Sequence, residues 1–172
     1  MEFHDLTLRD GSHAIGHKIS SETIKKYCRF AESAGISVVE VGHGNGLGAS
    51  SILIGESLHS DYEVISIAKR NLKNTKLSVH IIPGLATLSR DVIPAMEIGV
   101  DIYRVASHCT EASLTKTHIE YLASHGKCVF GVLMMGALCS TQRLVEEAQK
   151  LKSYGASAVI LMDSTGSFFP HD

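Results

Sequence analysis

Short runs of β-branched and other apolar residues alternate along the chain with longer segments whose apolar positions recur at helical spacing. This alternation predicts β-α units around a parallel sheet. Six strands are predicted, near Phe3–Leu8, Ile36–Val41, Leu77–Ile82, Ile102–Ala106, Cys128–Leu133 and Ala158–Met162. Ser21–Ala34 places Ile24, Tyr27, Cys28 and Ala31 on one helical face, with Gly35 marking the end. The same pattern recurs in Asp61–Leu72, in Leu88–Ile98 before Gly99, in Glu111–Ser124 before Gly126 and in Thr141–Tyr154 before Gly155. In the last of these, Thr141 reads as the N-cap, and Leu144, Ala148 and Leu151 as the buried stripe. Pro94 lies inside the third helical segment and is expected to shift its start or kink it.

Six parallel strands fit either an open doubly wound sheet or the first part of an eight-stranded β/α barrel. At 172 residues the open sheet can be complete, whereas a barrel needs about 250, so length favours the open sheet. The nucleotide sites of open sheets lack support, because no G-x-G-x-x-G follows the first strand and no P-loop occurs. The balance of 44% apolar and 20% charged residues, without a low-complexity linker, predicts one domain with no internal boundary. A net charge of -2 excludes broad attraction to nucleic acid or an anionic membrane. Apolar runs such as Cys128–Met135 fall well short of a bilayer span. The opening MEFHDLTLRDG lacks the basic start and apolar stretch of a signal peptide, so a cytoplasmic location is expected. Four cysteines without a C-x-x-C pair point to reduced thiols, while ten histidines make acid-base or metal chemistry worth seeking.

Polar residues gather at the carboxyl ends of the predicted strands, where α/β proteins carry their sites. Strand one ends in Arg9-Asp10-Gly11-Ser12-His13, strand two in Gly42-His43-Gly44-Asn45-Gly46, strand four in Ser107-His108-Cys109-Thr110-Glu111 and strand six in Asp163-Ser164-Thr165-Gly166. Asp10 can hold a hard cation, Arg9 can neutralise an oxyanion and His13 can move a proton near neutral pH. The alternative is that Arg9 and Asp10 pair with neighbours and His13 is a loop residue. His43 is either a ligand or part of a tight glycine turn. His108 and Cys109 either bind a metal or supply a thiolate, or else simply pack. His13 and His17 stand four apart, but Gly16 speaks against a helical zinc face and no HExxH occurs. Asp163 and Ser164 either meet a polar substrate group or cap the following segment, and Met134 and Met135 read as core or pocket wall.

The segments LTLRDGSHA (Leu6–Ala14), VGHGNGL (Val41–Leu47), VASHCTEA (Val105–Ala112) and MDS (Met162–Ser164) together resemble the 4-hydroxy-2-oxovalerate aldolases, along nearly the whole chain. Thr-Leu-Arg-Asp-Gly alone marks the wider HMG-CoA lyase-like group of metal-dependent barrel lyases and acyl-CoA-condensing synthases. His13-Ala14 and His-Cys-Thr-Glu-Ala are more specific to the aldolases. The resemblance implies a TIM (β/α)8 barrel instead of an open sheet. Residues 1–172 would then be a single aldolase catalytic domain, an incomplete barrel of about six β-α units truncated before the seventh strand.

It also implies a carbon-carbon lyase that cleaves 4-hydroxy-2-oxopentanoate to pyruvate and acetaldehyde in bacterial breakdown of aromatic compounds. A divalent metal, usually manganese, and a partner acylating acetaldehyde dehydrogenase come with that activity. Carried onto this chain, Asp10 is a metal ligand, Arg9 stabilises the pyruvate enolate, His13 takes the proton from the 4-hydroxyl and Ser164 helps hold the substrate. Further ligands come in the family from a His-x-His on the seventh strand, beyond residue 172. His80 and Ile82 fall where the family shapes its aldehyde pocket. Two other readings stay open: a related acyl-CoA lyase or synthase, against which His13-Ala14 argues, and a non-catalytic barrel fragment acting as a binding partner.

Overall fold

The β-branched runs form strands, and those over Val38–Val41, Lys76–Ile81 and Ile102–His108 are buried on both faces, as a parallel sheet covered by helices requires. In the computed structural model, which describes residues 2–168, two compact units divide after Ile102. The first contains β1 (His4–Asp5), β2 (Val38–Val41) and β3 (Lys76–Ile81). β1 pairs parallel with β2, His4 opposite Val38, and β2 pairs parallel with β3, Val38 opposite Lys76 through Val41 opposite Val79. Val38, Val39, Val41, Leu77, Val79 and Ile81 have no exposed surface, and they form the centre of that unit's core.

The second unit holds β4 (Ile102–His108) from Tyr103 onward, β5 (Cys128–Met134) and β6 (Ala158–Leu161). β5 and β6 pair parallel, Phe130 opposite Ala158 through Leu133 opposite Leu161. Within each unit the strand order follows the chain. Consecutive parallel strands with helical connections are the repeat of the TIM barrel, and six strands joined by such connections make an incomplete one. The open sheet favoured by length alone is therefore set aside.

The helices are α1 (Ser21–Ser33), α2 (Asp61–Asn71), α3 (Ile93–Ile98), α4 (Lys116–Ser124) and α5 (Thr141–Ser153). Ser20 caps α1 by accepting the Thr23 N–H at 3.1 Å. Ser60 and Glu63 form a reciprocal capping box at the start of α2. The third helical segment opens as a π turn over Leu88–Val92, and α3 proper starts at Ile93. Pro94 thus shifts the start as expected, because its missing N–H falls in the first turn, where no helical partner exists. Among the described residues, no helix is long and apolar enough to cross a membrane.

Three local expectations are corrected. The cap of α5 is Ser140, whose Oγ accepts the Arg143 N–H at 3.3 Å, and not Thr141. Leu144 and Leu151 are buried as expected, but Ala148 is only half-buried and the fully buried neighbour is Glu147. Its Oε1 receives Arg143 Nη2 and Lys150 Nζ, each at 2.7 Å, and its Oε2 receives the Ala112 N–H at 2.9 Å. The donors hold the Glu147 carboxyl low although its burial works the other way. Finally, β1 stops at Asp5 instead of reaching Leu8. Asp5 Oδ1 accepts the Thr7 N–H at 2.8 Å, and the Leu6 carbonyl then collects the N–H groups of Arg9 at 3.0 Å and Asp10 at 2.8 Å. That turn carries the following residues off the strand and into the 3-10 helix Asp10–Ile15.

Glu32, near the end of α1, gathers the loop that leads into β3. Its carboxylate accepts the backbone N–H groups of Lys73, Asn74 and Thr75 at 3.0, 2.9 and 3.1 Å. Those donors lower its pKa from 4.5 to about 2. Since the folded value lies below the unfolded one, this stabilisation is present above pH 4.5 and is lost as pH falls toward 2. Glu32→Gln is expected to cost about 1 kcal/mol at neutral pH, a figure discounted for solvent screening. Urea melts should show the gap between variant and parent narrowing with acidification, and a pH-independent gap would contradict the assignment.

Candidate functional site at the ends of β1 and β2

Arg9 leaves the turn after β1 and is 4% exposed, so its charge must be met inside the protein. Nε donates to Oε1 of the fully buried Glu40 at 2.7 Å. Nη1 donates to Asp10 Oδ1 at 2.8 Å and to the Gly44 carbonyl at 3.0 Å. Glu40 Oε2 in turn accepts the Ser78 hydroxyl at 3.3 Å. Arg9 is therefore paired with its neighbours, and the pairing fixes its guanidinium. Glu40 was not singled out from the sequence. The signal was a lone carboxylate in the apolar run Val38-Val39-Glu40-Val41, since an acid buried in a strand requires a cationic partner.

The Asp10 side chain is 63% exposed, with Oδ1 already engaged by Arg9. His13 lies on the exposed face of the 3-10 helix, and its ring stands directly over Gly44. Behind it, the rings of His17 and His43 stack at 3.7 Å and 23°, and His13 meets His17 edge-on at 4.9 Å. The hydrogen bonds assign the tautomers. His43 Nδ1 accepts the Asn45 N–H at 3.0 Å, so Nε2 carries the proton and donates to the Gly55 carbonyl at 3.0 Å. His17 Nδ1 faces the Ser12 hydroxyl at 3.0 Å and the Gly44 N–H at 3.4 Å, and it accepts from both.

Burial lowers the pKa of His17, and the neighbouring charges of His43, His13 and Lys18 lower it further. Burial likewise lowers that of His43, against the opposing hydrogen bond to Gly55 and together with His13. The result is a neutral aromatic stack supporting the exposed His13. Because both folded values lie below the unfolded 6.5, the stack stabilises fully above that pH and loses stability as pH falls beneath it. Urea midpoints are expected to fall between pH 7.5 and 5.5, and His17→Asn should flatten that dependence. An unchanged slope in the variant would refute the role.

The remaining sequence candidates divide between the units. His80 is buried in β3, and its carbonyl accepts the Leu47 N–H at 2.9 Å. Gly46, at φ +92°, lets the His43–Gly46 turn press on this strand, since a Cβ there would lie 2.5 Å from the His80 oxygen. Strand alternation puts Ser78, His80 and Ile82 on one face, which is the face of Glu40 because Ser78 bonds it. Ile82 is half-buried just past the end of β3. Arg9, Asp10, His13, His80 and Ile82 thus lie in the first unit.

Ser164 belongs to the second unit, where Oγ accepts the N–H of Met135, a residue at φ +59°. Asp163 takes the capping role: it accepts the N–H groups of Ser167 and Phe168 at 2.9 and 3.0 Å, and these lower its pKa. His108 Nδ1 is bonded to the Thr110 hydroxyl at 2.9 Å. Met134 and Met135 are half-buried. Among the described residues, no group of three or more His, Cys, Asp or Glu side chains converges to hold a metal ion.

Comparison with known proteins places the chain in a family. The chain is 50% identical over 168 residues to a 4-hydroxy-2-oxovalerate aldolase of Pectobacterium atrosepticum, covering 98% of this chain and 49% of that protein. It is 51% identical over 168 residues to the protein of the same name from Spirochaeta aurantia, with the same shares. The chain therefore spans about half the length of the curated relatives it matches. Among solved structures, the carboxyl transferase domain of Rhizobium etli pyruvate carboxylase, determined with pyruvate and biocytin, superposes with a TM-score of 0.80 at 14% identity. It covers 99% of this chain and 32% of that one, a likeness of fold. The HMGL-like family model matches residues 1–172, the full length of the sequence. The chain, with its Arg9-Asp10-His13 strand end, belongs to the HMGL-like family.

Proposed function

We propose that this chain is part of the catalytic domain of an aldolase that cleaves 4-hydroxy-2-oxopentanoate to pyruvate and acetaldehyde. The observation that carries the reading is the buried Arg9, oriented by Glu40 and placed beside Asp10 on the segment that also carries His13. Relatives at about half identity named 4-hydroxy-2-oxovalerate aldolase support the choice of substrate.

In a retro-aldol cleavage, a base removes the proton of the 4-hydroxyl, the bond between carbons 3 and 4 breaks, and the electron pair settles on the 2-oxo group as the pyruvate enolate. His13 is the base, exposed to substrate and backed by the neutral His17–His43 stack. Arg9 supplies fixed positive charge for the enolate oxygen, with no reorganisation needed during the reaction. Ser164 helps hold the substrate, and His80 and Ile82 shape the space for the aldehyde end.

A divalent cation, manganese by the resemblance, polarises the 2-oxo carbonyl when bound. Asp10 offers it one carboxylate. The described residues do not complete such a site, so each step above is assigned to the chain's own groups. An acylating acetaldehyde dehydrogenase is the partner that receives the aldehyde, in the cytoplasm, during breakdown of aromatic compounds.

The test is pyruvate release from 4-hydroxy-2-oxopentanoate with manganese and again after chelation. It is run on this chain and on the same segment extended to the length of its relatives. Chelator-sensitive release is expected, and Asp10→Asn should reduce it at least 100-fold. Undiminished release by that variant would remove Asp10 as a ligand. Turnover of an acyl-CoA thioester in place of the hydroxy-oxo acid would overturn the aldolase reading.

A further inference from the structure

Two sulfur atoms take no part in the chemistry above. Cys109 follows β4, is fully buried, and donates its backbone N–H to the Met134 carbonyl at 2.9 Å. Cys139 follows the short 3-10 turn Gly136–Leu138 after β5 and is half-buried. Both thiols are free, and their Sγ atoms lie 2.9 Å apart. Cys139 also lines an open cleft of about 600 Å³ with Ser140, Thr141, Ser167 and Phe168, which gives small solutes a path to one sulfur of the pair. On the other side, His108 Nδ1 lies 3.8 Å from Cys109 Sγ, a base within reach of the buried thiol.

We propose that Cys109 and Cys139 form a hydrogen-peroxide-reactive site that closes into an intramolecular disulfide, fastening the loop after β4 to the loop after β5. Cys139, reached from the cleft, attacks one oxygen of the peroxide. The O–O bond breaks, water leaves, and Cys139 becomes a sulfenic acid. Cys109 Sγ then attacks that sulfur while its proton passes to His108 Nδ1 and on to the departing hydroxyl, which leaves as a second water. In sum, two thiols and one peroxide give one disulfide and two waters, with the sulfurs oxidised and the peroxide reduced.

The division of labour follows from position. Burial, with the sulfur of Cys139 beside it, pushes the Cys109 thiol up to about 11, so it stays protonated until a sulfenic acid forms next to it. The two sulfurs need to approach only from 2.9 Å to the about 2.05 Å of a disulfide. The tether would restrain His108, Cys109 and Thr110, the polar strand end whose Thr110 carbonyl already accepts Arg143 Nη2 at 3.1 Å.

The experiment is titration of the reduced chain with hydrogen peroxide, followed by alkylation and non-reducing peptide mapping. The expected result is loss of two hydrogen masses and a link between the tryptic peptides Val105–Lys116 and Cys128–Arg143, reversed by dithiothreitol. Because the second peptide also contains Cys128, Cys128→Ser is mapped in parallel and should retain the link, while Cys139→Ser should abolish it. If Cys139→Ser fails to fold, the map of Cys128→Ser decides alone, since it keeps both proposed partners. A link through Cys128, sulfinic acid without a link, or unchanged masses would each overturn the proposal.

Discussion

Glu40→Ala is expected to destabilise the chain by about 3 kcal/mol or more, the cost of stranding a buried charge. Glu40 has no exposed surface and Arg9 is 4% exposed, so neither water nor salt can replace the lost partner. Arg9 would retain the Gly44 carbonyl and the exposed Asp10, which satisfy Nη1 and leave Nε without its acceptor. The Ser78 hydroxyl would lose its acceptor as well. Glu40→Gln keeps an oxygen for Nε while removing the charge, and it should fall between the variant and the parent. Urea unfolding at neutral pH measures both. A midpoint for Glu40→Ala equal to the parent's would show that the pair contributes nothing, and it would remove the support for a fixed Arg9 guanidinium.

Gly44→Ala is expected to cut pyruvate release about 100-fold, the lower range of what a positioned base contributes, with little change in stability. A Cβ at this position would lie 2.3 Å from His13 Nε2, 2.5 Å from Cε1 and 2.6 Å from Cδ2, so the ring must leave. Since His13 is exposed, it can swing into solvent at small cost to the fold. Its contact with His17 and its place over Gly44 would both be lost. The loss should match that of His13→Ala, with the thermal midpoint within a few degrees of the parent. Full activity in Gly44→Ala would mean that His13 acts from elsewhere or does not act as the base.

These predictions rest on contacts of different legibility. Ser21–Ser33 was readable because Ile24, Cys28 and Ala31 fall at the spacing that buries one helical face, and they are indeed buried. Arg9, Asp10 and His13 were readable as a strand-end cluster within one short segment. Glu40 and the His17–His43 stack were not, because their partners are distant in sequence: Arg9 and Glu40 are 31 positions apart, and the Gly44 N–H that His17 accepts is 27 away. The reading of Cys109 as packing or nucleophile likewise missed Cys139, a partner 30 positions away. The end of α5 nearest Ser140 and Thr141 offered two adjacent hydroxyls, and only the backbone direction at the helix start selected Ser140.

Hydrophobic periodicity by itself determined the six strands, the helices between them and most helix bounds, because apolar burial acts through spacings of two and 3.6 residues that are local to each element. The motif at Arg9-Asp10-His13 singled out one strand end as the candidate site. Only the tertiary structure decided that β1 ends at Asp5, that Arg9 is held by Glu40, that Glu147 is buried among Arg143 and Lys150, and that three imidazoles gather over Gly44. Each of these depends on a buried polar group finding its partner. Burial makes such pairing obligatory, while the choice of partner is set by which segments the fold brings together.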